Sequence, residues 1–214
     1  MNKYPTDQVL DTKFIKVFDI HFKEGSHYYD VTRRDQDDTV MSKSAEEIKS
    51  LVPDAVSCEV VLEQDGKEPL LLLAQEYRYP IGQFLLSPTA GLIDPEDKKL
   101  SQEEAIRVTA IRELKEETGI TFRDSDSVEI ISPMLFSSPG MTDENNAMAR
   151  IIIRHADLAE LTQDGCVGSE QFDGFKLFTV DDAKRVLDQG CDDSGMFYSV
   201  YTWIALADFV ANYQ

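Results

Sequence analysis

RELKEETGI, residues 112–120, governs how the rest of this chain is read. Glu113 and Glu117 are four apart and Glu116 lies three from Glu113, so on a helix the three carboxylates project along one edge. Arg112 stands four residues before Glu116 and can pair with it. Carboxylates crowded on one edge repel one another unless something cationic sits among them. An oxygen-only set suits a hard divalent ion such as magnesium or manganese. The competing reading is a solvated acidic helix laced with charge pairs. Strict residue order weighs against it, since R-E-aliphatic-x-E-E-x-G-aliphatic arises by chance at on the order of one in ten million per position at average residue frequencies.

Outward from this segment, Ser101 with Glu104 three residues on is a capping spacing that starts the helix, and Gly119 stops it. The stretch before it, Ala90-Gly91-Leu92-Ile93-Asp94, reads as a glycine-bearing strand end. Residues 57–62 and 70–74 flank an Asp65-Gly66 turn and predict a hairpin. Residues 84–86, 128–136, 148–153 and 175–178 continue strand-like. A helix is expected over 179–189, ending at Gly190, and a last one from near Ser194 with Trp203, Leu206 and Phe209 on an inward stripe. The first 53 residues differ: two β-rich runs, 14–22 and 28–32, precede a short helix opened by Ser44 and Glu47 and stopped by Pro53. Two strands and a helix bury little alone, so this arm is expected to pack on the main domain or on a second subunit. The whole reads as a mixed α+β fold.

The chain has 214 residues, with 40 Asp plus Glu against 21 Lys plus Arg and a formal net charge of −19. That surplus excludes broad contact with a phosphate backbone, so neither a nucleic acid polymer nor an anionic membrane is an expected partner. No apolar run is long enough for a membrane helix and residues 1–14 lack the pattern of a secretory signal, so a cytoplasmic location is expected. Cys58, Cys166 and Cys191 fit neither a disulfide framework nor a zinc site and are read as reduced thiols. His21, His27 and His155 show no ligand spacing, and Tyr198, Tyr201 and Trp203 are read as helix packing.

Residues 112–120 resemble the second half of the Nudix box, G-x5-E-x7-R-E-U-x-E-E-x-G-U with U aliphatic, and match it at every specified position. Upstream, counting from Gly91, Asp97 stands where glutamate is expected, and Arg112 comes seven residues late. One added helical turn absorbs about four of these, and a longer loop through Lys98 and Lys99 takes the rest. Glu96, Asp97 and Glu104 all remain candidates for the first box glutamate; Glu104 keeps the E-x7-R spacing but places Lys98 where glycine belongs. LLLAQEYRYPIG (71–82), LLSPTAGLID (85–94) and SSPGMTDE (137–144) are similar to segments of the ADP-ribose pyrophosphatase branch, with Glu76 for its usual Gln, Ser87 for its Glu and Thr89 extra.

The resemblance implies an α/β/α sandwich with a mixed β-sheet over residues 54–214, and a β arm over 1–53 serving dimerisation. It implies a Mg2+-dependent hydrolase, Mn2+ being a substitute, that cleaves a nucleoside diphosphate linked to a sugar, ADP-ribose first of all, to AMP and ribose 5-phosphate. Glu113 and Glu117 would bind metal with the Ala90 carbonyl, and Glu116 would be a further ligand or support one. Arg112 would orient Glu116, and Arg78 would clamp the diphosphate. Glu144 would be the general base or another ligand, with Asp143 its rival. Another nucleotide-sugar or dinucleotide is the alternative substrate. A noncatalytic metabolite sensor is the alternative class, disfavoured by the intact glutamate pair. A homodimer is expected by resemblance, with arm Phe and Tyr residues offered to the adenine across it.

Overall fold

The computed structural model describes residues 3–166 and 171–214. The central strand is β4 (Ala55–Glu63), and all of it but Glu63 is buried. Such a strand has both faces covered, which explains its near-continuous run of apolar residues. It turns through Asp65-Gly66, with Gly66 at φ 71°, into the antiparallel β5 (Leu70–Arg78). β6 (Gln83–Ser87) folds back on β5, and β7 (Thr89–Leu92) pairs with the first half of β4. On the other side β4 runs parallel to β9 (Asn145–Arg154), in register from Ala55↔Asn146 to Glu63↔Arg154. β8 (Ser127–Phe136) and β10 (Phe172–Phe178) complete a mixed seven-stranded sheet, its main order β10-β5-β4-β9-β8.

Side chains along β4 alternate between two cores. Val56, Cys58, Val60 and Leu62 join Ala105, Ile106, Ala110 and Leu114 of a helix, here α2 (Gln102–Thr118), on one face. Val61 joins Leu71, Leu73 and Met148 on the other, beneath α3 (Val180–Gln189) and α4 (Val200–Tyr213). The α/β/α sandwich expected from the sequence is therefore present. α2 starts on Ser101, whose side chain accepts from the Glu104 amide, and ends at Gly119 at φ 76°.

The last helix starts later than expected. The Asp192 carboxylate takes hydrogen bonds from the Ser194 amide and hydroxyl and from the Met196 amide, which holds this stretch in a turn, so Ser199 caps α4 instead. Trp203 is also not inward: it is 52% exposed, because Thr202 takes that face and donates to the Leu86 carbonyl at 2.6 Å.

The N-terminal arm has three strands rather than two: β1 (Thr6–Asp11), β2 (Lys16–Ile20) and β3 (Tyr28–Thr32), all antiparallel. β1 reads TDQVLD, with no alternation of apolar and polar residues to betray an edge strand. A short helix, α1 (Ala45–Lys49), carries the full Ser44/Glu47 capping box. No helix among the described residues is long and apolar enough to cross a membrane.

Candidate active site

The edge of α2 that carries the carboxylates faces β7. Glu113 and Glu117 are buried, whereas the Glu116 side chain keeps 41% of its exposure. Arg112 joins two of them: its Nη1 donates to Glu113 at 2.6 Å and to Glu116 at 3.2 Å, and its Nη2 donates to the Leu92 carbonyl at 2.9 Å. The pairing with Glu116 was legible in the sequence; the shorter one to Glu113 was not, because neighbours on a helix do not ordinarily face each other. The Ala90 amide donates to Glu117 at 3.2 Å, so the carboxylate is tied to the strand end expected to supply a ligand. Gly91 makes the approach possible, since a Cβ there would sit 1.9 Å from the Glu113 carboxyl carbon. Beneath them, burial pushes the Cys58 thiol well up, and the charges of Glu117 and Glu113 push it further.

Glu144 lies on the loop between β8 and β9, and the arm holds it. Arg33 Nε donates to Glu144 at 2.9 Å. Asp143, its rival in the sequence, is used differently: it accepts from Arg34 Nη1 at 3.2 Å and from the Val40 amide at 2.9 Å, and its own amide donates to Asp30. Asp143 is thus committed to binding the arm, and Glu144 retains 37% side-chain exposure. Burial pushes the Asp30 carboxyl up to about 6, the neighbouring Asp143 adding and the Asp143 amide opposing. Arg34 also reaches Asp54 at 2.8 Å, and Asp54 accepts from the Asn145 amide, so one carboxylate ties the arm to the start of β9. The Val31 amide donates to the Met141 carbonyl, and Tyr28 Oη donates to that of Gly140. Nothing in the sequence singled out Arg33, Arg34 or Asp54 beyond two adjacent arginines in a strongly acidic chain.

Arg78 stands at the end of β5 and pairs with Glu76 at 2.6 Å on its own strand. Of the three candidates for the first box glutamate, Glu96 pairs with Lys99 at 2.6 Å, Asp97 opens a 3-10 turn (Asp97–Lys99), and Glu104 is exposed on the first turn of α2. Ser87 is buried at the end of β6. Tyr201 Oη donates to the Leu135 carbonyl at 3.5 Å; burial raises its hydroxyl, with a hydrogen bond to Ser137 opposing and the Glu144 charge adding.

A cavity of about 540 Å³ opens between the arm and this loop. Tyr28, Tyr29 and Phe22 line it from the arm, and Phe136, Pro139 and Met141 from the other side. A NUDIX domain model matches residues 52–198, spanning the sheet, α2 and the Glu144 loop. The chain belongs to the Nudix family.

Among Nudix relatives, it is similar to an uncharacterised Nudix hydrolase of Schizosaccharomyces pombe, 36% identical over 107 residues, which are 50% of this chain and 45% of that protein. It is also similar to the ADP-ribose pyrophosphatase of Saccharomyces cerevisiae, 35% identical over 88 residues, 41% of this chain and 33% of that one. The matches thus span less than half the length of these relatives. A crystal structure of an ADP compounds hydrolase superposes with a TM-score of 0.56 at 19% identity, over 95% of this chain and 88% of that one, a likeness of fold. The donor set fits the divalent ion of the family's chemistry: all its atoms are oxygen, two of its carboxylates are buried, and glycine leaves the room in which Glu113 sits.

Proposed function

We propose that this chain hydrolyses the diphosphate of a nucleoside diphosphate linked to a sugar, most specifically ADP-ribose, to AMP and ribose 5-phosphate. The observation that carries this reading is the buried Glu113 and Glu117 pair, wedged against β7 with Glu116 and Arg112. Two carboxylates removed from water beside one guanidinium leave a negative excess that a divalent ion would balance. Glu113, Glu117, Glu116 and the Ala90 carbonyl would hold Mg2+ or Mn2+, which when bound supplies charge neutralisation of the diphosphate and a more acidic water. Arg112 fixes the directions of Glu113 and Glu116. Glu144 takes the proton of the attacking water, with Arg33 fixing its rotamer and Asp143 fixing the loop backbone. Arg78, once it exchanges Glu76 for substrate, presents a fork of donors that matches a phosphate.

The similarity to an ADP-ribose pyrophosphatase supports the substrate, as does the aromatic cavity beside Glu144, whose volume is that of a typical small-molecule pocket. There, Phe22, Tyr28 and Tyr29 belong to the same chain as the Glu144 loop. A homodimer formed through the arm is supported by its exposed apolar side chains, Phe14 at 69% and Val9 at 54%. Light scattering checks it, and a mass near 24.2 kDa would overturn it. For the activity, the test is a panel of ADP-ribose, nucleotide sugars, dinucleotides and nucleoside triphosphates with Mg2+, read as phosphate released by an added phosphatase. Turnover should be fastest with ADP-ribose, and no turnover of any member would refute a hydrolase.

A further inference from the structure

The sequence gives no hint that His21 and His27 meet, since five residues separate them and neither lies in a ligand motif. The β2–β3 hairpin brings them together: Ile20 pairs with Tyr28, so the next residues outward, His21 and His27, lie across from each other. Their rings are 5.2 Å apart at 73°. Asp19, two residues before His21, accepts from His27 Nδ1 at 2.6 Å. One donor atom from each of Asp19, His21 and His27 falls within 4.8 Å of the others.

A second observation points to a ligand at this place. The Asp19 side chain is only 9% exposed, and its other oxygen, Oδ1, is buried with no hydrogen-bond partner. A buried carboxylate oxygen left unpaired is costly, and a cation beside it removes the cost. β1 adds the remaining part. Asp7, opposite Asp19 in the register, takes a 2.9 Å hydrogen bond from His21 Nε2. A carboxylate on the far nitrogen of a ligating imidazole is the usual device that fixes its tautomer and ring direction. His21 would then ligate through Nδ1, which stands 3.3 Å from the Ser26 carbonyl and would exchange that contact for the ion.

We propose that Asp19, His21 and His27 form a transition-metal site on the arm, oriented by Asp7 and separate from the carboxylates of α2. Two imidazoles and one carboxylate select zinc and its neighbours over magnesium. Tetrahedral zinc places ligand atoms about 3.3 Å apart, so the donors close in by about 1.5 Å at most, a movement within reach of side-chain rotation. Water takes the fourth position. The ion would join β2 to β3 directly and to β1 through Asp7.

Isothermal titration with ZnCl2 alone tests this on the full chain carrying Glu113→Gln and Glu117→Gln, so that the α2 carboxylates do not compete. One zinc per chain is expected, unaffected by excess Mg2+. Adding His21→Ala should abolish binding, His27→Gln should weaken it at least tenfold, and Asp7→Asn should weaken it by about 10–100-fold. Zinc-edge X-ray absorption of the loaded chain should show two imidazoles. If a histidine variant fails to fold by circular dichroism, the absorption spectrum of the parent decides alone. No zinc uptake, uptake that survives His21→Ala in a folded chain, or an oxygen-only spectrum would overturn the proposal.

Discussion

Gly91→Ala separates the chemistry of the site from the stability of the fold. Gly91 has no left-handed backbone to maintain, so alanine is conformationally permitted, and the three atoms nearest the new methyl all belong to the end of the Glu113 side chain. The methyl would lie 1.9 Å from the Glu113 carboxyl carbon and from Oε1. Ordinary contact begins near 3.4 Å, so the carboxylate must retreat by about 1.5 Å. A flexible side chain yields more readily than backbone, and the loss in unfolding free energy should stay near 1 kcal/mol. The retreat carries Glu113 away from Arg112 and from its place beside Glu117. A misplacement of about 1 Å at a reacting centre costs about 100-fold in rate, equivalent to about 2.7 kcal/mol in the barrier. The assay is kcat for ADP-ribose at saturating Mg2+, with urea unfolding alongside. A kcat within threefold of the parent would refute the notch as the feature that positions Glu113. A loss of more than about 3 kcal/mol in stability would refute the idea that the side chain yields rather than the fold.

Glu117→Gln should lower Mg2+-dependent turnover by about 100-fold or more while the metal-free melting temperature hardly moves, checked by kinetics and calorimetry; retained activity would move the metal elsewhere. Arg33→Ala and Glu144→Gln should each lower kcat, and together should cost less than the sum, with a coupling of about 0.5–3 kcal/mol in a double-mutant cycle; additivity would deny that the arm positions Glu144. Glu59, on β4 next to Arg150 and beneath Asp208 of α4, has its carboxyl pushed up to about 9 by burial, with Asp208 adding and Arg150 opposing. The folded chain then keeps a proton that the unfolded chain releases above about 4.5. Stability should therefore fall as pH rises between those values, by up to about 1.4 kcal/mol per unit, and Glu59→Gln should flatten the slope in urea midpoints at pH 6 and 8; an unchanged slope would show Glu59 ionised throughout.

What could be read from the sequence was what short-range geometry controls. Residues 101–119 set their own helix, cap and carboxylate edge through i, i+3 and i, i+4 spacing, and Asp65-Gly66 set its own turn. What escaped depends on pairings between distant parts of the chain. β1 has no apolar face of its own and is a strand only because β2 lies beside it. Asp143 and Glu144 look interchangeable until the arm brings Arg34 to one and Arg33 to the other, across more than a hundred residues. The histidines of the arm likewise meet only through the register of a hairpin, and Thr202 displaced Trp203 from the core because the Leu86 carbonyl was within its reach.

The docking of the arm on the Glu144 loop bears on where this protein can be cut. A chain starting at residue 54 would keep the seven-stranded sheet and every element of the Nudix box. It would nonetheless expose Asp143 and Asp54 without their arginine, leave the Met141 carbonyl without the Val31 amide and remove the arm side of the aromatic cavity. Such a fragment should fold and bind magnesium yet turn over slowly. With Glu144 as the proposed base, the border between the arm and the rest is a boundary in sequence but not in catalysis, and a molecule that grips the arm from outside would have a direct mechanical route to that carboxylate.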